Sequence, residues 1–211
     1  MGKSSKGLAC LIVLGTAIGN GVYGSDTGKV SREYTLRASP ASWTFGIWGF
    51  IYAGLIVTAF VEPDWSKSQL ALLAASGVCN LGWLVAWNKR KIAASSLILP
   101  MVCTLVWMLV ARSRTKTGKQ LLAVYASWTT VASLLNAGVV ARYRAGVSDD
   151  LVSTGIIVAL TAALLGATSA RGRAVPLSAF AVGAWASAGV VSAGFTPAAI
   201  PLVLSVAGAV L

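Results

Sequence analysis

The chain repeats one pattern that few folds can accommodate: apolar windows of about 20 residues, separated by short runs that hold the charge. A helix of that length spans the ~30 Å hydrocarbon core of a bilayer. The windows run from Gly7 to Gly24, Ala41 to Val61, Gln69 to Asn88, Ile92 to Ala111, Gln120 to Ala141, Leu151 to Ala170 and Val175 to Ala193. Apolar residues make up 56% of the 211 residues and charged ones 11%, less than half the share usual in soluble domains. The expected fold is all-α, a polytopic transmembrane helical bundle, hence an integral, multi-pass membrane protein; nothing in the residues chooses the membrane.

The boundaries carry their own signals. Lys3 and Lys6 precede the first window, which also fits a signal peptide but is counted as a helix. Gly15 and Gly19 form a G-x-x-x-G pair that would let a neighbouring helix come close. Ser25 to Ser39 is polar, Pro40 suits a helix start, and Pro63 stops the second window in a tight Glu62–Lys67 loop. Pro100 lies mid-window and predicts a kink. Arg171-Gly172-Arg173 divides the sixth and seventh windows. Thr196 to Leu211 is apolar but short and holds Pro197 and Pro201, so eight helices are expected, with seven plus a partly inserted tail as the alternative. Loops this short leave no room for a soluble domain. With the N-terminus inside, nine basic residues fall inside and eight outside, which sets no orientation.

Composition excludes several chemistries. The chain has no histidine, so imidazole ligation and every histidine-based triad are ruled out. The acids all fall outside the windows, which argues against paired-acid hydrolysis and proton-driven pumping. Cys10, Cys79 and Cys103 are odd in number and irregularly spaced, indicating neither a disulfide framework nor a metal knuckle. No catalytic group and no covalent cofactor are expected. The net charge of +11 reads as loops against anionic lipid headgroups, not as a nucleic-acid surface.

The information is concentrated in tryptophans and asparagines. Trp65 in a loop, with Trp43 and Trp87 near window ends, suits an interfacial belt; Trp48 lies too deep for one. Phe45, Trp48 and Tyr52 follow i, i+3, i+7 spacing, and so do Asn80, Trp83 and Trp87. Tyr125, Trp128, Ala132 and Asn136 share a side of the fifth window. An amide facing lipid is costly, so Asn80 and Asn136 should point inward. Two readings stay open on spacing alone. Either the amides tie helices together, at about 0.6 kcal/mol per bond, or the aromatics line a pocket for a flat apolar ligand.

These motifs resemble a family. Tyr125-Ala-Ser-Trp128-Thr-Thr130-Val-Ala132-Ser-Leu-Leu135-Asn136 is similar to the Y-x-x-W-x-T-x-A-x-x-L-N signature of the tryptophan-rich sensory proteins, the translocator protein or peripheral benzodiazepine receptor family. Cys79-Asn80-Leu81-Gly82-Trp83 resembles its L-N-x-x-W segment, and Phe45 to Tyr52 its F-x-x-W-x-x-x-Y run. A longer branch matches better, through Thr27-Gly28-Lys29-Val30-Ser31-Arg32-Glu33-Tyr34, Pro40 to Tyr52 and a later tryptophan like Trp185. The W-x-P-P loop of the short forms is absent; Pro40-Ala-Ser-Trp43 stands there.

The resemblance implies a five-helix translocator-like core over residues 1–145 and two or three additional C-terminal helices over 146–211, in one membrane domain. It implies a cavity that takes tetrapyrroles, sterols or related planar drugs, and a frequent homodimer. The pocket residues implied are Trp48, Tyr52, Asn80, Trp83, Trp87, Tyr125, Trp128 and Asn136. The expected function is a binder or carrier of a planar apolar ligand such as a porphyrin, a pigment or a sterol, with Lys29, Arg32 and Arg37 either meeting acidic substituents or contacting headgroups. The rival is a non-catalytic structural subunit of a larger pigment or respiratory membrane assembly, in which Asn80 or Asn136 would ligate a chlorophyll magnesium. Transport would have only Pro100 and the Pro197/Pro201 pair as helix breaks, and no repeat is visible. Photo-oxidative tetrapyrrole breakdown would rest only on Trp83 and Trp128.

Overall fold

The computed structural model describes residues 2–24, 26–169 and 176–210, and within them it is all-helical. The helices are α1 (Gly2–Tyr23), α2 (Thr27–Glu33), α3 (Ile47–Val61), α4 (Lys67–Asn88), α5 (Ile92–Arg112), α6 (Lys116–Tyr143), α7 (Asp149–Ser169), α8 (Leu177–Ser192) and α9 (Ala199–Val210). A 3-10 turn, Ser42–Gly46, leads into α3. Six helices are long and apolar enough to cross a membrane: α1, α3 with its leading turn, α4, α5, α6 and α7. The expected Arg171–Arg173 divider, with the facing ends of its two windows, lies outside the described residues.

Local chemistry sets the helix ends. Glu62 precedes Pro63 and is extended (φ −64°, ψ 133°), as a pre-proline residue prefers, so α3 stops there. Ser66 and Gln69 form a capping box at the start of α4, and Thr115 caps α6 by accepting from the Gly118 N–H at 3.0 Å. At the α4–α5 turn the Lys91 N–H closes back on the Ala86 carbonyl (2.9 Å), and Arg90 takes a left-handed backbone, φ 57°. Helix α5 runs unbroken through Pro100.

Five helices close a ring in the order α1, α3, α6, α5, α4 and back to α1. In a membrane the apolar effect does not drive helices together, so close approach at small residues and buried polar bonds must do so. Thr16 rests on Gly77, and Leu81 covers Gly19, where a Cβ would meet its Cδ2 at 2.7 Å. Gly15, the other half of the expected G-x-x-x-G pair, faces open space. Leu121 packs over Gly54, and Trp107 donates from Nε1 to Thr130 Oγ1 at 3.1 Å. Cys103, which carries no polar partner motif in the sequence, has its Sγ 3.2 Å from the same hydroxyl.

Helices α7, α8 and α9 pack outside this ring. At Gly138 of α6 an added Cβ would meet Ile156 and Val152 of α7 at 2.7 and 2.9 Å. The backbone of α8 lies on the α3 approach, with the Ala41 N–H on the Gly189 carbonyl and Trp185 Nε1 donating to the Thr44 carbonyl at 2.9 Å. The first turn of α8 is tied to α6, since the Ser178 N–H donates to Gln120 Oε1 at 2.9 Å. Helix α8 has 16 residues and α9 has 12, so α9, at about 1.5 Å per residue, reaches only partway across the bilayer core. Among the described residues the tail therefore forms no eighth full span.

Two sequence expectations change at the loops. Glu62 is not a loop acid in water: it is fully buried. Its carboxylate accepts from Ser113 Oγ, from the Arg114 N–H at 3.1 Å and from Thr115 Oγ1 at 3.0 Å, joining the end of α3 to the α5–α6 connection. Trp65, expected at the membrane surface, is also buried, its Nε1 donating to the Ala59 carbonyl at 3.3 Å. Arg37 has protein partners of its own. It pairs with Asp150, and its guanidinium lies 5.3 Å over the Phe195 ring.

Candidate functional site: aromatic and amide groups inside the ring

Inside the ring, α3, α4 and α6 each turn an aromatic stripe toward the others. Trp48 stacks on Tyr52 one turn along α3, with centroids 5.9 Å apart, and its other neighbour is Tyr125 of α6 at 6.0 Å. The Tyr52 hydroxyl accepts from Asn80 Nδ2 of α4 at 3.3 Å and also faces the Asn20 side chain of α1. One turn and two turns beyond Asn80, Trp83 and Trp87 stack at 6.3 Å. Trp83 Nε1 donates to Asn136 Oδ1 of α6 at 3.2 Å, and Ser95 Oγ of α5 donates to the same oxygen at 3.1 Å. Trp128 meets the Phe45 ring edge-on at 5.9 Å.

All eight residues picked from the sequence thus lie on the ring's inner helices, but they are not chemically alike. Asn136 is satisfied at both ends: its oxygen takes two donors, and its Nδ2 donates to the Ala132 carbonyl at 3.2 Å. Asn80, fully buried, keeps an unpartnered Oδ1. Trp87 Nε1 and Asn20 Nδ2 are likewise buried without a partner. Native proteins rarely leave such atoms orphaned, and each instance calls for an explanation. Sequence reasoning missed Asn20, although an amide inside the first apolar window is the same signal that identified Asn80.

The short helix α2 covers this end of the ring, in a stretch the sequence offered as polar and as a family-like motif but not as a helix. Thr27 Oγ1 donates to Asn88 Oδ1 at 3.1 Å, and Asn88 Nδ2 donates to the Tyr23 carbonyl, so one side chain at the end of α4 holds both sides of the α1–α2 link. Tyr34, just after α2, lies against Trp87 (5.8 Å) and edge-on to Tyr143 (5.1 Å). Glu33 forms a bidentate pair with Arg90, at 2.7 Å from Nε and 2.6 Å from Nη2. The hydrogen bond and charge of Arg90 hold the Glu33 carboxyl below its ordinary range. A depressed carboxyl contributes above its unfolded pKa and loses that contribution as pH falls through the folded one. Acidification below about pH 4 is therefore expected to speed tryptic cleavage at Lys29 and Arg32, once corrected for the protease's own pH profile. Arg90→Ala should give the same increase at neutral pH, and equal cleavage of parent and variant would show that the pair does not hold α2. The effect is small, because both groups are exposed to solvent.

No curated protein and no solved structure matches the chain. A family model described as TSPO-like protein does match, over residues 7–211, from the first turns of α1 to the end of the chain. That span covers the inner aromatic stripes and the helices packed outside them alike. With six helices able to cross a bilayer, the chain is a multi-pass integral membrane protein of the TSPO-like family.

Proposed function

We propose that this protein is a non-enzymatic binder or carrier of a planar apolar ligand, a tetrapyrrole or a sterol-like molecule, held inside the ring of α1, α3, α6, α5 and α4. One observation carries the reading: Asn20 Nδ2, Asn80 Oδ1 and Trp87 Nε1 are buried polar atoms without partners, set among the aromatic faces of Trp48, Tyr52, Tyr125 and Trp83. Each such atom costs roughly 1–3 kcal/mol when left unpaired. A ligand with a flat apolar body and mixed donors and acceptors at its edge would relieve that cost while its faces stack on the rings. Should a metal sit at the centre of such a ligand, Asn80 Oδ1 is the free amide oxygen, because that of Asn136 already holds Trp83 and Ser95.

Titration with protoporphyrin IX of the protein in lipid nanodiscs tests this. Tryptophan fluorescence should be quenched saturably. Removing a stacked face by Trp48→Ala should weaken binding by about tenfold. Trp43→Ala, whose ring packs on Trp185 outside the ring of helices, should titrate like the parent. Unsaturable quenching, or equal affinities for both variants, would mean partitioning into lipid and would favour the structural-subunit reading.

A further inference from the structure

A chamber lies on the far side of α6, between the ring and the outer helices. It has a volume of about 470 Å³, within the range of small-molecule sites. Trp107 and Val110 of α5, Thr130 and Val131 of α6, and Leu160 and Leu164 of α7 wall it, α8 lines a further side, and the remainder is open. The lining is almost wholly apolar, with Ala163, Ala167, Ala179 and Gly183 leaving the space that larger side chains would fill.

One polar group stands out within it. Ser127 lines the chamber and is 8% exposed, and its hydroxyl has no partner. Its neighbours on α6 behave differently: Thr129, Thr130 and Ser133 each turn their hydroxyls back onto carbonyls of their own helix, as is usual for these residues. Trp107 adds no free donor, since its Nε1 is committed to Thr130.

The chamber runs toward the membrane face where α5 ends and α8 begins: Ala111 and Pro176 line it there. That face is basic. Arg112 follows Ala111 directly, and Arg114, Lys116 and Lys119 complete the connection into α6. The side chains of all four are exposed, and none forms an ion pair among the described residues. The Ser178–Gln120 bonds hold the start of α8 beside them.

We propose that this outer chamber is a binding site for one anionic phospholipid, with an acyl chain between α5, α6, α7 and α8, an ester carbonyl on the Ser127 hydroxyl, and the phosphate among Arg112, Arg114, Lys116 and Lys119. An apolar trough takes the chain, the single orphan donor takes the carbonyl, and the cationic rim selects the headgroup. The site is separate from the inner aromatic one and does not depend on the function proposed for it.

Native mass spectrometry of the purified full chain tests it, using phosphatidylglycerol and phosphatidylcholine with identical acyl chains. The parent should retain one phosphatidylglycerol per chain, at least about fivefold more tightly than phosphatidylcholine. Ser127→Ala should weaken retention of both lipids by roughly five- to tenfold, the loss of one hydrogen bond. Replacing Arg112 and Arg114 by alanine should abolish the preference between headgroups. Ala163→Phe, which fills the chamber, should release the lipid, whereas Ala53→Phe on the exposed side of α3 should not. Equal retention of the two lipids by the parent overturns the proposal. So does parent-like retention by Ser127→Ala, a variant too conservative to fail by misfolding.

Discussion

Glu62→Ala is expected to lower the stability of the purified protein by about 3 kcal/mol, a large loss for a single truncation at a helix end. The substitution removes an acceptor that serves Ser113 Oγ, the Arg114 N–H and Thr115 Oγ1 in a fully buried place. The Arg114 N–H and Thr115 Oγ1 would lose this acceptor, Ser113 Oγ would keep only the Thr115 carbonyl at 3.3 Å, and Thr115 would have less to hold it as the cap of α6. In detergent this should appear as a fall in melting temperature on the order of 10 °C. Glu62→Gln should fall between parent and alanine, because Oε1 keeps its hydroxyl donors while the new amide meets the Arg114 N–H. Gly118→Ala provides an independent check: a methyl group there would collide with the Glu62 carboxylate, Thr115 Oγ1 and Ser113 Oγ. A melting temperature unchanged by Glu62→Ala would show that the connection between α5 and α6 holds itself in place.

The second large effect separates the two asparagines. Asn136→Leu strips the acceptor from both Trp83 Nε1 and Ser95 Oγ and breaks a three-helix junction of α4, α5 and α6. At roughly 1 kcal/mol per bond, it should cost about 2 kcal/mol in stability. Asn80 makes one long bond, to Tyr52 at 3.3 Å, and leaves its oxygen unused. Asn80→Leu should therefore cost less than half as much stability but weaken protoporphyrin binding by about tenfold. Thermal unfolding and fluorescence titration of the same preparations measure both quantities. Parallel losses in the two variants would show that the amides share one role and would remove the orphaned oxygen as an argument for a ligand.

Apolar window length was enough to read most of the membrane helices, because a span must exceed a fixed length regardless of its neighbours. It was a poorer guide to the C-terminus, where α8 and α9 are short and stand against other helices instead of crossing alone. Spacing at i, i+3, i+7 correctly put Trp48 beside Tyr52 and Trp83 beside Trp87, since one helix fixes those relations. It could not tell Asn80 from Asn136. That difference depends on Ser95 and Trp83, which only tertiary packing brings to one of them. Glu62 was hidden for the same reason: Pro63 explains why α3 stops, but the donors lie about fifty residues further on. Helix α2 has seven residues and no apolar stripe, and it owes its place to Trp87 and Asn88 of α4 and to Arg90 in the turn after it.

The α4–α5 turn shows where this molecule spends stability. Arg90 adopts φ 57°, a backbone that glycine takes freely and that costs any residue with a side chain about 1 kcal/mol or more. Glycine would suit the turn better, but it has no guanidinium to reach Glu33. The strain is borne by a junction between two membrane helices, and the benefit goes to α2, which lies outside them. Tightness of the bundle and closure over its aromatic end are therefore opposed at one position, and a change that relaxes the turn loosens the cover.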